Sequence, residues 1–282
     1  MVKLIECPRD AMQGIKPFIP TETKISYAQE LLKVGFDTLD VGSFVSPKAI
    51  PQMRDTAQVI EALDLSDTET KLLTIVANKR GAYDAIEHEK ISYLGFPFSI
   101  SETFQLRNTN STIEESLLRV ADIQSITIKN RKSLVLYISM GFGNPYGDVW
   151  SVDIVEKWVS DLYTMGIRII NLSDTIGVST PDSISYLFAH LIPTFPDVEF
   201  RAHLHTTPDK WEEKVKAAYD NGCRRFDGAI KGYGGCPMAK DELTGNMPTE
   251  KMIDYFDRNN ITSGIEPNAF KDALVASQSV FL

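Results

Sequence analysis

The chain has 282 residues, 43% of them hydrophobic and 24% charged, with a net charge of −9 at pH 7. Such a composition belongs to an ordinary globular protein, long enough for one barrel or two average domains. The acidic balance argues against a nucleic-acid partner, which calls for a basic face, and no apolar run approaches the roughly 18 residues of a membrane span.

The first residues, Met-Val-Lys-Leu-Ile-Glu, enter a strand pattern at once and have no signal-peptide architecture. From there short apolar strands alternate with amphipathic helices. The pattern predicts strand 4–6, helix 21–34, strand 38–41, helix 55–63, strand 72–76, helix 79–88, strand 91–96 and helix 112–128. It continues with strand 134–139, helix 152–165, strand 167–172, helix 180–192, strand 198–205, helix 210–221 and strand 225–229. Helices over 249–259 and 268–280 close the chain. Ser111-Thr-Ile-Glu-Glu is a helix start, with a hydroxyl cap and Glu114 three residues on. Gly35, Gly166 and Gly222 each follow a helix pattern and fit the left-handed cap position.

Eight βα units without a compositional break point to one (β/α)8 TIM barrel over 1–282, with a C-terminal helical extension at about 266–282. A doubly wound sheet would need a glycine-rich phosphate turn after an early strand. The first strand runs instead into Cys7-Pro-Arg-Asp-Ala-Met-Gln-Gly. The cysteines, Cys7, Cys223 and Cys236, are odd in number and far apart, so no disulfide framework is implied and a cytoplasmic location is expected.

In such a barrel, functional residues gather at the C-terminal ends of the strands. Those ends carry Arg9-Asp10, Asp40 to Ser43, Asp174-Thr175, His203 and His205, and then Lys231-Gly-Tyr-Gly-Gly-Cys236 with Asn246 beyond. His203 and His205 lie two apart on a strand and aim at one place. With Asp10 they supply two imidazoles and a carboxylate, a set suited to Mg²⁺, Mn²⁺, Zn²⁺ or Fe²⁺. Asn246 can add an amide oxygen as fourth ligand. Arg9, beside Asp10, is placed to stabilise charge developing on a carbonyl oxygen. Cys236, in a glycine-rich loop, is a candidate acid or base. Cys7 and Cys223 read as packing residues, and His88 and His190 as solvated or structural.

Together these residues resemble the 3-hydroxy-3-methylglutaryl-CoA lyases, part of a wider group of metal-dependent barrel lyases, aldolases and Claisen-type synthases. The likeness runs from Leu4 to the last helix. It is sharpest at Pro8-Arg9-Asp10 with Gln13, Ser43-Phe-Val-Ser-Pro-Lys48 with Pro51-Gln-Met, Asn110 with Ile113-Glu-Glu-Ser, Asp174-Thr-Ile-Gly with Thr180-Pro181, His203-x-His205, and Gly234-Gly-Cys-Pro with Gly245-Asn246 and Thr249-Glu250. The resemblance implies a retro-Claisen cleavage of 3-hydroxy-3-methylglutaryl-CoA, or a close analogue, dependent on Mg²⁺ or Mn²⁺, with Zn²⁺ a further candidate. It makes Asp10, His203, His205 and Asn246 metal ligands. Arg9, Asp10, Asp40, His203 and Cys236 become the catalytic set. Arg9, Gln13, Ser43, Lys48, Asp174 and Thr175 are expected at the substrate, with Lys48 and Arg107 near the CoA phosphates. A homodimer is the expected assembly, with no nucleic-acid or membrane partner.

Four departures from the family pattern touch the site. Asp40 replaces a glutamate, Thr206 replaces an aspartate after the histidine pair, and Met238 replaces an aromatic residue. The stretch 239–246 is one residue longer than usual. The change at Thr206 removes a carboxylate expected to orient the imidazoles. Two alternatives follow: a related aldolase or acyl-CoA-condensing synthase on a 2-oxo acid, or an inactive barrel acting as a binding protein. Retention of Arg9, Asp10, both histidines and Cys236 weighs against the second.

Overall fold

A computed structural model describes residues 1–235 and 244–282 of the protein. Its strands β1 (Lys3–Glu6), β2 (Thr38–Ser43), β3 (Lys71–Ile75), β4 (Ile91–Ser99), β5 (Ser133–Ser139), β6 (Ile169–Asp174), β7 (Glu199–Thr206) and β8 (Arg225–Gly228) pair in parallel in sequence order. β1 also pairs with β8, and β6 with β7, which closes the sheet into the expected (β/α)8 barrel. Around it run α1 (Pro8–Gln13), α2 (Thr21–Leu32), α3 (Thr56–Ala62), α4 (Lys79–Ile86), α5 (Glu102–Thr109) and α6 (Ile113–Lys129). Then follow α7 (Val152–Thr164), α8 (Pro181–Thr194), α9 (Trp211–Asp220), α10 (Thr249–Arg258), α11 (Pro267–Ala276) and α12 (Gln278–Phe281). None of these helices is long and apolar enough to cross a membrane.

All eight predicted strands are present, most of them short runs rich in β-branched and aliphatic residues, and each paired in parallel on both sides. The outward faces of the strands and the inner faces of the helices form the main apolar layer, including Leu39, Leu94, Phe96, Leu136, Leu172 and Phe226. A smaller cluster, Leu73, Ile75, Val135 and Tyr137, packs separately from that layer. The C-terminal helices are tied on by aromatic contacts, Phe270 against Phe36 and Phe281 against Tyr27 and Tyr233.

Three elements differ from the sequence expectation. α1 and α5 are extra helices of six and eight residues, too short to show a helical period. Pro8 starts α1 with its φ already fixed. α5 is capped by Ser101, whose hydroxyl accepts from Phe104 N at 3.2 Å, and it ends on Asn110 in the left-handed region. The third is a two-residue strand, β9 (Gly245–Asn246), antiparallel to β7. Two smaller shifts accompany these. The cap of α6 is Thr112 with Glu115, one residue later than expected, in a complete capping box. The last predicted helix divides at Ser277 into α11 and α12. Gly35, Gly166 and Gly222 do take positive φ, at 90°, 84° and 96°.

The N-terminal end of the barrel is closed by charge. Asp37 meets Lys3 at 2.8 Å and Arg225 at 2.6 Å, Arg225 meets Glu199 at 2.7 Å, and Glu199 meets the fully buried Arg201 at 2.8 Å.

Candidate active site

The opposite end of the barrel holds a cavity of about 360 Å³ walled by Arg9, Asp10, Gln13, Tyr137, Ser173, Thr175, His203 and His205. Its other wall is largely apolar, with Val45, Ile50, Ile75, Ala77 and Phe104. α1 begins one residue after β1, so Arg9 and Asp10 start a helix directly over the strand end. Arg9, Asp10 and Gln13 fall at helical spacings of three and four and share a face. Gln13 Nε2 donates to Asp10 Oδ1 at 2.7 Å, and Arg9 donates to Asp10 Oδ1 at 3.0 Å and Gln13 Oε1 at 3.1 Å. The other edge of the guanidinium grips Asp40 on β2, with Nε 3.2 and 3.1 Å from the two carboxylate oxygens. Asp40 therefore holds Arg9 from behind, and a β-bulge between Asp40 and Gly42 marks this turn in the strand.

β7 delivers the two histidines. His205 Nδ1 faces Thr175 O at 2.9 Å, and His203 Nδ1 faces the carboxylate of Asp227 at 3.0 Å. One ligand atom from each of Asp10, His203 and His205 lies within 4.8 Å of the others. β9 pairs Asn246 with His205, and Asn246 Nδ2 donates to Asp10 Oδ2 at 2.8 Å and to Tyr233 O at 2.8 Å. The close approach of the 232–235 turn requires glycine at 234. With φ at +84°, a Cβ there would lie 2.8 Å from Asp10 O and 2.9 Å from Asn246 Nδ2.

Burial and charge set the titration of these groups. Burial pushes Asp10 upward, but Arg9, both histidines and the Asn246 hydrogen bond outweigh it and leave the carboxyl below its ordinary value. Asp40, completely enclosed, is pushed up to about 6 by burial despite the Arg9 pair. His203 is lowered by burial but raised more by Asp227, so its net shift is upward. His205, whose Nδ1 has only a carbonyl behind it, is shifted down by burial and by the neighbouring imidazole.

The structure thus brings together Arg9, Asp10, Gln13, Asp40, Thr175, His203, His205 and Asn246. Ser43 is buried just outside the cavity, where its hydroxyl accepts from Val45 N at 3.1 Å and shapes the turn presenting Val45. Lys48 and Arg107 are exposed, each beside residues of the cavity wall, Ala49 and Asn108 respectively. Asp174 is not brought into the cavity. Its carboxylate accepts from Val178 N, Ser179 N and the buried Lys214, whose ammonium lies 2.8 Å away. Asp174 therefore anchors the turn that carries Thr175. Cys236 and Met238 lie outside the described residues.

The replacement at Thr206 does not leave the imidazoles loosely oriented, contrary to expectation. Thr206 pairs with Gly245, and the orienting groups are Asp227 and Thr175 O. Sequence reasoning missed Asp227, Asn171, Tyr137 and Lys214. A signal existed for the first: in Arg225-Phe-Asp-Gly the polar residues alternate with an apolar one, which puts Asp227 on the inner face. His88 and His190 pair with Glu61 and Glu156 and have no part in the site.

The HMGL-like family model matches residues 2–275. The Arabidopsis thaliana protein named hydroxymethylglutaryl-CoA lyase, mitochondrial, is 33% identical over 253 residues, which is 89% of this chain and 53% of that protein. The chain therefore spans about half the length of this relative. A Pseudomonas aeruginosa protein named 3-hydroxy-3-isohexenylglutaryl-CoA/hydroxy-methylglutaryl-CoA lyase is 32% identical over 275 residues, covering 96% of this chain and 90% of its own. Among solved structures, an HMG-CoA lyase from Acinetobacter baumannii in complex with coenzyme A and 3-methylmalate aligns with a TM-score of 0.91 at 28% identity. That alignment covers 99% of this chain and 91% of the other.

Proposed function

The chain belongs to the HMGL-like family, and on that footing we propose that it is a carbon–carbon lyase cleaving 3-hydroxy-3-methylglutaryl-CoA, or a close analogue, to acetyl-CoA and acetoacetate. The observation that carries this reading is the convergence of Asp10, His203 and His205 on one cavity, with Asn246 hydrogen-bonded to Asp10 behind them. Within that cavity His205 Nε2 is buried and has no hydrogen-bond partner among the described residues. Leaving such an atom dry and bare costs roughly 1–3 kcal/mol, and ligation removes that cost. The donor set fits a divalent ion: one carboxylate, two imidazoles and an amide suit Mg²⁺ or Mn²⁺, with Zn²⁺ a third candidate. Asp10, His203, His205 and Asn246 would hold it. When bound, such an ion supplies Lewis-acid activation of the substrate's tertiary hydroxyl.

The protein's own groups account for the rest. The hydroxyl proton goes to a base on the same wall, assigned to the Asp10 carboxylate, because His203 has Nδ1 committed to Asp227 and Nε2 to the ion. The carbon–carbon bond next to the hydroxyl-bearing carbon breaks, and its electron pair passes into the thioester as an enolate. Arg9, fixed by Asp40 and Gln13, offers its guanidinium to that oxygen without reorganising. Protonation of the enolate carbon gives acetyl-CoA, and this proton is assigned to Cys236. The apolar wall from Val45 to Phe104 takes the uncharged part of the thioester arm, with Lys48 and Arg107 toward the CoA phosphates. The proposal includes one barrel domain with its helical extension over 266–282, a homodimer, and a cytoplasmic location, for which the free thiols of Cys7 and Cys223 are the support.

The test is acetoacetate release from 3-hydroxy-3-methylglutaryl-CoA with Mg²⁺ or Mn²⁺, repeated after chelation. Release that stops with the chelator and returns with metal is the expected result. Metal uptake without release would overturn the substrate and direct the search to other acyl-CoA thioesters and 2-oxo acids.

A further inference from the structure

The two imidazoles of the cavity are held from behind by unlike partners. His205 Nδ1 faces a main-chain carbonyl, that of Thr175. His203 Nδ1 faces Asp227 Oδ2 at 3.0 Å, and the same oxygen accepts from Asn171 Nδ2 at 2.6 Å. These residues stand on adjoining strands, Asn171 on β6, His203 on β7 and Asp227 on β8, and neither Asn171 nor Asp227 is more than 3% exposed. The Tyr137 ring stands edge-on to His203 at 5.7 Å and limits its rotation.

A neutral imidazole carries one N–H, and its neighbours decide which nitrogen keeps it. A carboxylate accepts and does not donate. We propose that Asp227 is a positioning residue for the metal centre: it fixes the proton of His203 on Nδ1 and so turns the Nε2 lone pair into the cavity beside Asp10 and His205. Asn171 completes the device, because its amide N–H₂ donates to the same oxygen and holds Asp227 Oδ2 in place against His203. This inference rests on the reading of the cavity as a divalent-metal site and names a residue which that reading does not include.

The change Asp227→Leu removes the acceptor at similar volume. His203 Nδ1 then has no acceptor behind it, and neither its tautomer nor its ring plane is fixed. Asp227→Asn is the contrasting variant: one oxygen, Oδ2, serves both Asn171 Nδ2 and His203 Nδ1, so an amide with its oxygen in that place keeps both bonds and the Nδ1–H tautomer. Mn²⁺ binding, followed by the loss of the free-ion electron paramagnetic resonance signal, reads this without turnover. Removing such an outer partner in D227L is expected to weaken the ion's affinity about 10–100-fold, with D227N recovering most of the loss. Binding by folded D227L within two-fold of wild type, or D227N as weak as D227L, would overturn the inference and leave the metal site standing. A wild-type protein that takes no Mn²⁺ would overturn the metal reading and this inference with it. Should D227L fail to fold, long-range ¹⁵N–¹H correlation on metal-free wild-type protein at pH 8 decides, with His203 assigned from the signal lost in His203→Gln. An Nδ1–H tautomer for His203 supports the proposal, and an Nε2–H tautomer overturns it.

Discussion

Charged side chains cluster at both ends of the barrel, but with opposite balance. At the N-terminal end the cations Lys3, Arg201 and Arg225 stand against the anions Asp37 and Glu199. At the C-terminal end Arg9 alone stands against Asp10, Asp40 and Asp227, with two imidazoles among them. The lower network closes a sheet through ion pairs among its own side chains and keeps one more cation than anion. The upper one keeps an excess of carboxylate and a bare imidazole nitrogen, a local field that a divalent cation would complete. Ion pairs alone therefore do not mark a functional end. An excess of carboxylate converging with two imidazoles on one cavity does.

Changes at the upper end should show the larger effects. Asp10→Asn keeps the shape but removes the carboxylate from the proposed ligand set, and both Mn²⁺ binding and acetoacetate release should fall, the latter by at least ~10³-fold. Retained turnover in this variant would break the comparison outright. Arg9→Met comes next. It should lower kcat about 10²–10³-fold while leaving Mn²⁺ affinity nearly unchanged, since Arg9 faces the developing charge and is not a ligand. Arg9→Lys should recover little, because an ammonium cannot fork between Asp40, Asp10 and Gln13 as the guanidinium does. Parallel loss of metal binding and kcat in Arg9→Met would show that the residue acts through Asp10.

Glu6 sharpens the contrast from within the fold. It is completely buried near the C-terminal end of β1, where its carboxyl accepts from Ile230 N at 2.8 Å and Thr249 Oγ1 at 2.6 Å. It thus ties the strand that leads to Arg9 and Asp10 to both flanks of the 231–248 excursion. Burial pushes its pKa up from 4.5 to about 8, the two hydrogen bonds only partly opposing. A carboxyl raised in the folded state binds a proton there that the unfolded chain has already released. Its contribution is thus intact below pH 4.5 and is lost as pH rises toward 8. Within that window stability should fall by up to ~1.4 kcal/mol per pH unit. In Glu6→Gln, with no group to ionise, that slope should flatten in denaturant titrations across the pH range. An unchanged slope would locate the pH dependence elsewhere.

The barrel was legible because most strands are short apolar runs, each followed by a helical pattern. The convergence of Arg9, Asp10 and His203 with His205 was legible because strand ends in such a barrel face one place. What escaped detection depends on pairing across the fold. Asn246 was expected at the site, but not the two-residue strand β9 that carries it to Asp10; that strand's partner lies 41 residues earlier at His205. Asp227 orients His203 from a neighbouring strand, so the loss of a carboxylate at Thr206 looked more serious than it is. Asp174 reads as a substrate contact from its place at a strand end, yet the buried Lys214, 40 residues on, claims its carboxylate. No local pattern announces a partner at that distance.

The smallest expected effect belongs to the lower network. Asp37→Asn keeps the shape at the N-terminal end but removes the anion between Lys3 and Arg225. Burial raises the Asp37 carboxyl, while the hydrogen bond from Lys3, the charges of Arg225 and Lys3, and the Thr38 hydroxyl outweigh it and hold it below the ordinary value of 3.8. A carboxyl lowered in the folded state stabilises at pH values above 3.8, and that stabilisation is lost as pH falls through its folded value. Lys3 is 44% exposed at its side chain, so the pair is partly screened and the cost of the substitution is expected at about 1 kcal/mol. Asp37→Asn should therefore melt slightly below wild type at pH 7 and converge with it in acid, while kcat/KM stays the same, because the network shares no residue with the cavity wall. A drop in kcat/KM comparable to that of Arg9→Met would mean that the closure of the lower end sets the geometry of the upper one, and the two ends would have to be treated as a single charged system.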